Sequence, residues 1–118
     1  MPPGESVSAS LIRRSDLPES GMVSIQALIG GENVAIIVQT AGERVRAWRN
    51  ACPHEGRRLD YAPGKFLLDG ARLVCPAHGA SFRLEDGFCV SGPCRGESLQ
   101  AIEVECLPDG MLRFQVPR

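Results

Sequence analysis

Short apolar runs cut by glycine-centred turns constrain this chain more than any other feature of its sequence. "MVSIQALI" (Met22 to Ile29) alternates and stops at Gly30-Gly31, a strong breaker. "NVAIIVQTA" follows, then Gly42-Glu43, then "RVRAWRN", in which Val45, Ala47 and Trp48 are the apolar members. That succession reads as a meander or hairpin. Further on, "ASFRLEDGFCV" sets Asp86-Gly87 between two apolar runs, and "LQAIEVECLPDGMLRFQV" repeats the device with Pro108-Asp109-Gly110. In the last arm Ile102, Val104 and Cys106 face one way and Glu103 and Glu105 the other, which makes Cys106 a small core residue. No helical period is sustained, although a short turn near "SDLPES" is compatible with the pattern. The expectation is an all-β fold of small stacked antiparallel sheets.

At 118 residues the chain is expected to form a single domain, 1–118, with its own core. A net charge of -1 offers no attraction for nucleic acid or an anionic membrane surface. No run of eighteen apolar residues exists to span a bilayer, so no membrane partner is expected. The opening "MPPGESVSAS" is polar, and Arg13-Arg14 precedes "SDLPESG" without the hydrophobic segment that an export signal needs. These readings favour a cytoplasmic, reducing home. There, five cysteines point to metal or redox chemistry before disulfides.

Both histidines of the chain stand just behind a Cys-Pro, in "CPHEG" (Cys52, Pro53, His54) and in "CPAHG" (Cys75, Pro76, His78). Each stretch follows or ends an apolar run, "RAWRNACPHEG" and "ARLVCPAHGASF", so both read as loops projected from strand ends. Structural zinc sites usually present a Cys pair or a His pair at each knuckle, whereas here each loop offers one thiolate and one imidazole. Two metals shared between two loops explain the mixed pairs better than one. Pro53 and Pro76 stiffen the loops, and Gly56 and Gly79 permit positive φ.

Cys52-x-His54, twenty residues, then Cys75-x-x-His78 resembles the Rieske [2Fe–2S] motif. The resemblance runs from about Trp48 to Pro93, with cluster loops at about 50–64 and 74–83. It implies one [2Fe–2S] cluster per chain, with Cys52 and Cys75 on the inner iron and His54 and His78 on the outer one. It also implies imidazoles bound through Nδ1. "SGPCRG", residues 91–96, resembles the proline loop that covers the cluster in this family, with Gly92-Pro93 as the match. High-potential members carry a disulfide between the cluster loops, at positions that match Arg57 and Ala77, and hydroxyls at positions that match Ala80 and Phe82. Their absence implies fewer donors to sulfur and a reduction potential near the low end of the range, roughly -150 mV.

The resemblance therefore implies a ferredoxin that carries single electrons from a flavin-dependent reductase to an oxygenase, with no catalytic site of its own. A small electron-transfer subunit of a larger oxidoreductase, oxygenase or nitrite-reductase-like, is the alternative. A zinc-stabilised non-redox module is a third. Cys89 and Cys94 flank Val90 to Pro93 and are near enough in sequence for a local disulfide, but a reducing compartment favours free thiols. Arg57 and Arg58, beside Glu55 and Asp60, read as a solvated charge cluster, and Trp48 as core.

Overall fold

The computed structural model describes residues 11–53 and 56–115. His54 and Glu55 lie outside the described residues. The chain divides into two compact units, one formed by Met1–Arg49 with Ala101–Arg118, the other by Asn50–Gln100. Eleven strands are found among the described residues, and every named pairing is antiparallel. The all-β expectation holds. No helix among them is long and apolar enough to cross a membrane.

The first unit carries a six-stranded sheet in the order β1-β11-β10-β4-β3-β2. Its strands are β1 (Leu11–Arg13), β2 (Ser20–Ile29), β3 (Glu32–Ala41), β4 (Arg44–Arg49), β10 (Ala101–Cys106) and β11 (Met111–Gln115). Strands β2 and β3 pair along ten residues each, from Ser20↔Ala41 to Ile29↔Glu32, and Gly30-Gly31 makes the two-residue turn with both φ angles positive. Gly42-Glu43 joins β3 to β4 in the same compact way. The short turn anticipated near "SDLPES" is a 3-10 turn over Arg14–Asp16. Arg14 donates from its guanidinium to the carbonyls of Pro18, Glu19 and Gly42 at 3.1, 3.3 and 2.7 Å. One half of the double arginine thus closes a chain corner.

The core of this unit gathers Ala27, Ile29, Val34, Ile36, Val38, Ala47, Ile102, Leu112 and Phe114. Fully burying side chains such as Ile36 and Phe114 stabilises the fold by roughly 1.5–3 kcal/mol each. On β10 the expected alternation is present, with Ile102 buried, Val104 half-buried and Glu103 and Glu105 exposed. Cys106 departs from expectation: it is exposed. It ends the strand, opposite Leu112 and beside the Leu107–Gly110 turn. Trp48 is buried, as expected.

The second unit carries a five-stranded sheet in the order β5-β6-β7-β8-β9. These strands are short: β5 (Asp60–Ala62), β6 (Lys65–Asp69), β7 (Arg72–Val74), β8 (Ser81–Arg83) and β9 (Cys89–Ser91). Leu73, Phe82 and Cys89 are cross-strand neighbours in one row, and all three are fully buried. Asp86-Gly87 does join two strands, but within a longer connection than a two-residue turn. Arg83 N–H donates to the Phe88 carbonyl at 2.9 Å, and Asp86 accepts both the Phe88 N–H and the Arg83 guanidinium. That ion pair holds the Asp86 carboxyl below the usual carboxylate range.

Candidate metal centre

Cys52, Cys75 and His78 belong to the second unit, on two loops. The loops close in the same way. Cys52 N–H donates to the Arg57 carbonyl at 2.8 Å, and Gly56 N–H donates back to the Cys52 carbonyl at 2.7 Å. Cys75 N–H donates to the Ala80 carbonyl at 2.7 Å, and Gly79 N–H donates back to the Cys75 carbonyl at 2.9 Å. In each loop the glycine four residues after the cysteine takes a positive φ, +74° at Gly56 and +77° at Gly79. An L-residue adopts that region only at a cost, so the ring needs glycine there. A proline follows each cysteine and donates no N–H that would compete within the ring.

Cys52 and Cys75 are both buried, at 3% and 2% exposure, whereas His78 is exposed. The second loop thus hides its thiol and shows its imidazole. His54 is the equivalent residue of the first loop and falls outside the described residues, so the four are not described as a set. Among the described residues, no three His, Cys, Asp or Glu side chains gather as a site for a single metal ion. In donor chemistry the residues fit a [2Fe–2S] cluster of mixed ligation: two buried sulfurs and an outward imidazole on matched loops.

The proline loop of residues 91–96 lies against the second cysteine loop. A Cβ built on Gly92 would sit 2.6 Å from the Ala80 Cα, and Gly92 has φ +98°. Only glycine permits that approach. The loop is tied at its base, with Gly96 N–H donating to the Cys89 carbonyl and Cys89 N–H to the Glu97 carbonyl.

Two features of the site were not read from the sequence. Cys94, carried by the proline loop, is buried at 1% exposure with its Sγ 3.1 Å from the Cys89 Sγ. Burial pushes its thiol well up, and the neighbouring Cys89 and Cys52 add to the shift. Cys89 and Cys94 are both free thiols. The second feature is a polar clamp across the mouth of the first loop. Leu59 N–H donates to Asn50 Oδ1 at 2.6 Å, and Asn50 Nδ2 donates to Asp60 Oδ1 at 3.1 Å.

Asp60 also accepts two bonds from Arg58, each at 2.9 Å, and one from Gly64 N–H at 3.1 Å. Burial would raise this carboxyl, but the bonds from Arg58, Gly64 and Asn50 outweigh it and leave it below the ordinary value. The solvated charge cluster expected here is thus only half right. Arg58 is half-exposed, but the Asp60 side chain is 1% exposed, because the loop mouth needs its acceptors inside. A cleft of about 750 Å³ exists in the first unit, bordered by Arg14, Glu19, Cys106 and Leu112 among others, and contains none of the candidate ligands.

Two matched cysteine loops on antiparallel strands have the donor chemistry of a mixed-ligand iron–sulfur site. The model of the Rieske [2Fe–2S] domain matches residues 9–108, and the chain belongs to that family, whose members bind a [2Fe–2S] cluster. Among curated proteins, the glycine betaine monooxygenase oxygenase subunit of Chromohalobacter salexigens is 35% identical over 68 residues. That match takes in 57% of this chain but spans only 14% of the relative's length. Among solved structures, the ferredoxin of carbazole 1,9a-dioxygenase from Nocardioides aromaticivorans superposes with a TM-score of 0.66 at 19% identity, covering 92% of this chain and 96% of that one. The terminal oxygenase of carbazole 1,9a-dioxygenase from Novosphingobium gives a TM-score of 0.70 at 20% identity, covering 92% of this chain and 29% of that one. These likenesses establish the fold.

Proposed function

We propose that this chain is a one-electron carrier, a Rieske-type ferredoxin forming one domain over residues 1–118. In this reading one [2Fe–2S] cluster is held by Cys52 and Cys75 on one iron and by His54 and His78 on the other. The observation that carries it is the pair of identically bonded loops that bury both cysteines while His78 stays exposed. The cluster would supply reversible one-electron chemistry. The chain's residues do the rest. Cys52 and Cys75 sit away from water, which protects the thiolates, and His78 presents the exposed edge at which a partner can accept or deliver an electron. No independent catalytic site forms part of the reading.

The partners are a flavin-dependent reductase and an oxygenase component, met in a reducing cytoplasm. The near-complete coverage of a dioxygenase ferredoxin supports this choice. A second reading, a small electron-transfer subunit of a larger oxygenase, is favoured by the 35% identity to an oxygenase subunit. Stable co-purification with a larger chain would select the second reading over the first.

The cluster itself is tested by electron paramagnetic resonance on anaerobically purified, dithionite-reduced protein, with iron and zinc quantified alongside. The expected result is a rhombic signal whose average g falls below that of all-cysteine clusters, changed by His54→Cys. An optical redox titration should place the potential near the low end of the family range, roughly -150 mV, because Ala80 and Phe82, both fully buried, have no hydroxyl to donate. A silent, zinc-bearing sample would overturn the proposal.

A further inference from the structure

The outer edge of β2 differs from the other edges of the two sheets. β1, β5 and β9 end their sheets with three residues each, and short edges are protected by their length. β2 ends its sheet with ten, Ser20–Ile29, paired to β3 without a bulge. Those ten residues hold neither a charge nor a proline, the devices that usually keep an edge from pairing. Among the described residues no strand is hydrogen-bonded to that side. Nor does the sheet close through β1, because a cavity of about 370 Å³ lies between Leu11, Ile12 and Met111 on one side and Ile25 and Gln26 on the other.

The register decides which groups this edge offers. Ile29↔Glu32 closes the two-residue turn at Gly30-Gly31, so it is a hydrogen-bonded pair, and alternation makes Ala27, Ile25 and Val23 the others. Met22, Gln26 and Leu28 therefore turn their backbone N–H and C=O groups away from β3. The side chains are ordered symmetrically about Ile25: Ser24 and Gln26 flank it, then Val23 and Ala27, then Met22 and Leu28. Laid antiparallel on a copy of itself with Ile25 facing Ile25, the strand sets polar against polar and apolar against apolar. The same register sets outward backbone groups against each other, Met22 with Leu28 of the copy. A slip of one residue would put Ile25 against Gln26 and bonding groups against non-bonding ones.

We propose that the outer edge of β2 is an interface with a second copy of this chain, the two β2 strands pairing antiparallel about a two-fold axis at Ile25. A strand suited to a foreign partner has no need of that symmetry, whereas a two-fold interface must be complementary to itself. The lack of charge fits the same occupant, because near a two-fold axis a charged side chain sits close to its own copy. Pairing would join the six-stranded sheets of both copies. It would also cover Val23 and Ile25, which are only partly buried against the core, and Leu28, which is 40% exposed. The inference goes beyond the electron-carrier reading and makes no use of the cluster ligands.

The test is sedimentation equilibrium on the full chain, purified anaerobically, from micromolar to millimolar concentration, with amide hydrogen exchange at both ends of that range. The expected result is a reversible monomer–dimer equilibrium in which the amides of Met22, Gln26 and Leu28 gain protection as the dimer forms. Leu28→Lys sets an ammonium against Met22 of the second copy and should raise the dissociation constant by about tenfold or more. Gln26→Pro removes an outward N–H and should weaken the dimer in the same direction. Tyr61→Lys, at an exposed residue of the other sheet, should leave the dissociation constant in place.

A chain that stays monomeric over the whole range overturns the inference, and strong protection of the three amides in that monomer would assign the edge to another segment of the same chain. A dimer that Leu28→Lys leaves intact uses another surface and overturns it equally. If Gln26→Pro does not fold, Leu28→Lys decides, since its side chain already stands in water. A monomer that carries the His-ligated cluster refutes only this inference and leaves the proposed function standing.

Discussion

Between β7 and β8 the second cysteine loop is closed by its own strands, since Val74 pairs with Ser81 directly across its mouth. The first loop leaves β4 and enters β5, strands that belong to different sheets and do not pair. Yet both loops form the same backbone ring, cysteine N–H to the carbonyl five residues on and glycine N–H back to the cysteine carbonyl. What the first loop lacks in strand pairing it makes up with polar side chains, Asn50 binding Leu59 N–H and Asp60 binding Asn50, Arg58 and Gly64. The second loop has in addition the close approach of Gly92 to Ala80. Equal local geometry is thus reached through a sheet and a backbone contact in one case, and through buried hydrogen bonds in the other.

The most damaging way to break the comparison is at Gly92. A methyl group there meets backbone, the Ala80 Cα at 2.6 Å, in a residue that already holds φ +98°. Neither the clash nor the strain can be relieved by turning a side chain. Gly92→Ala should cost roughly 2–5 kcal/mol in denaturant unfolding and displace the second loop specifically. A near-neutral result would show that the strands alone hold that loop.

How much of this could be read in advance depended on whether a feature is local. The turns at Gly30-Gly31 and Gly42-Glu43 are fixed by residues that touch in sequence, and both fell where they were expected. The spacing of Cys52, His54, Cys75 and His78 likewise identified the family that the chain belongs to. Strands β5 and β6 left little signal. The first is three residues long, and the second exposes both Leu67 and Leu68, so no clean alternation marks a buried face. Cys106 shows the limit of alternation, which assigns a face but not a depth. The approach of Gly92 to Ala80, 12 positions apart in sequence, depends on where the proline loop folds back, and no period or turn rule encodes it.

The polar clamp gives a smaller and pH-dependent effect. Replacing Asp60 by Asn removes a charge acceptor that Arg58, Asn50 and Gly64 share, and should cost about 1–3 kcal/mol at neutral pH. Because the folded-state carboxyl lies below its unfolded value near 3.9, its contribution is fully present above that value. It disappears as the pH falls through the folded-state value. Parent and Asp60→Asn should therefore differ in unfolding free energy at pH 7 and converge in strong acid. A gap that stays constant from neutral to strongly acidic pH would locate the effect in packing and not in the charge.

The smallest expected change sharpens the comparison instead of breaking it. A Cβ on Gly56 or on Gly79 would find nothing within 4 Å, so no clash distinguishes the two sites. What remains is the backbone penalty of positive φ, +74° and +77°, about 1–2 kcal/mol for an L-residue. If the rings are equivalent, Gly56→Ala and Gly79→Ala should lose nearly the same stability in parallel urea titrations. A larger loss at Gly56 would mean that the clamped loop is the stiffer one, unable to relax its backbone around the new methyl group. A larger loss at Gly79 would assign that stiffness to the loop closed by paired strands, where Val74 and Ser81 fix both ends of the ring.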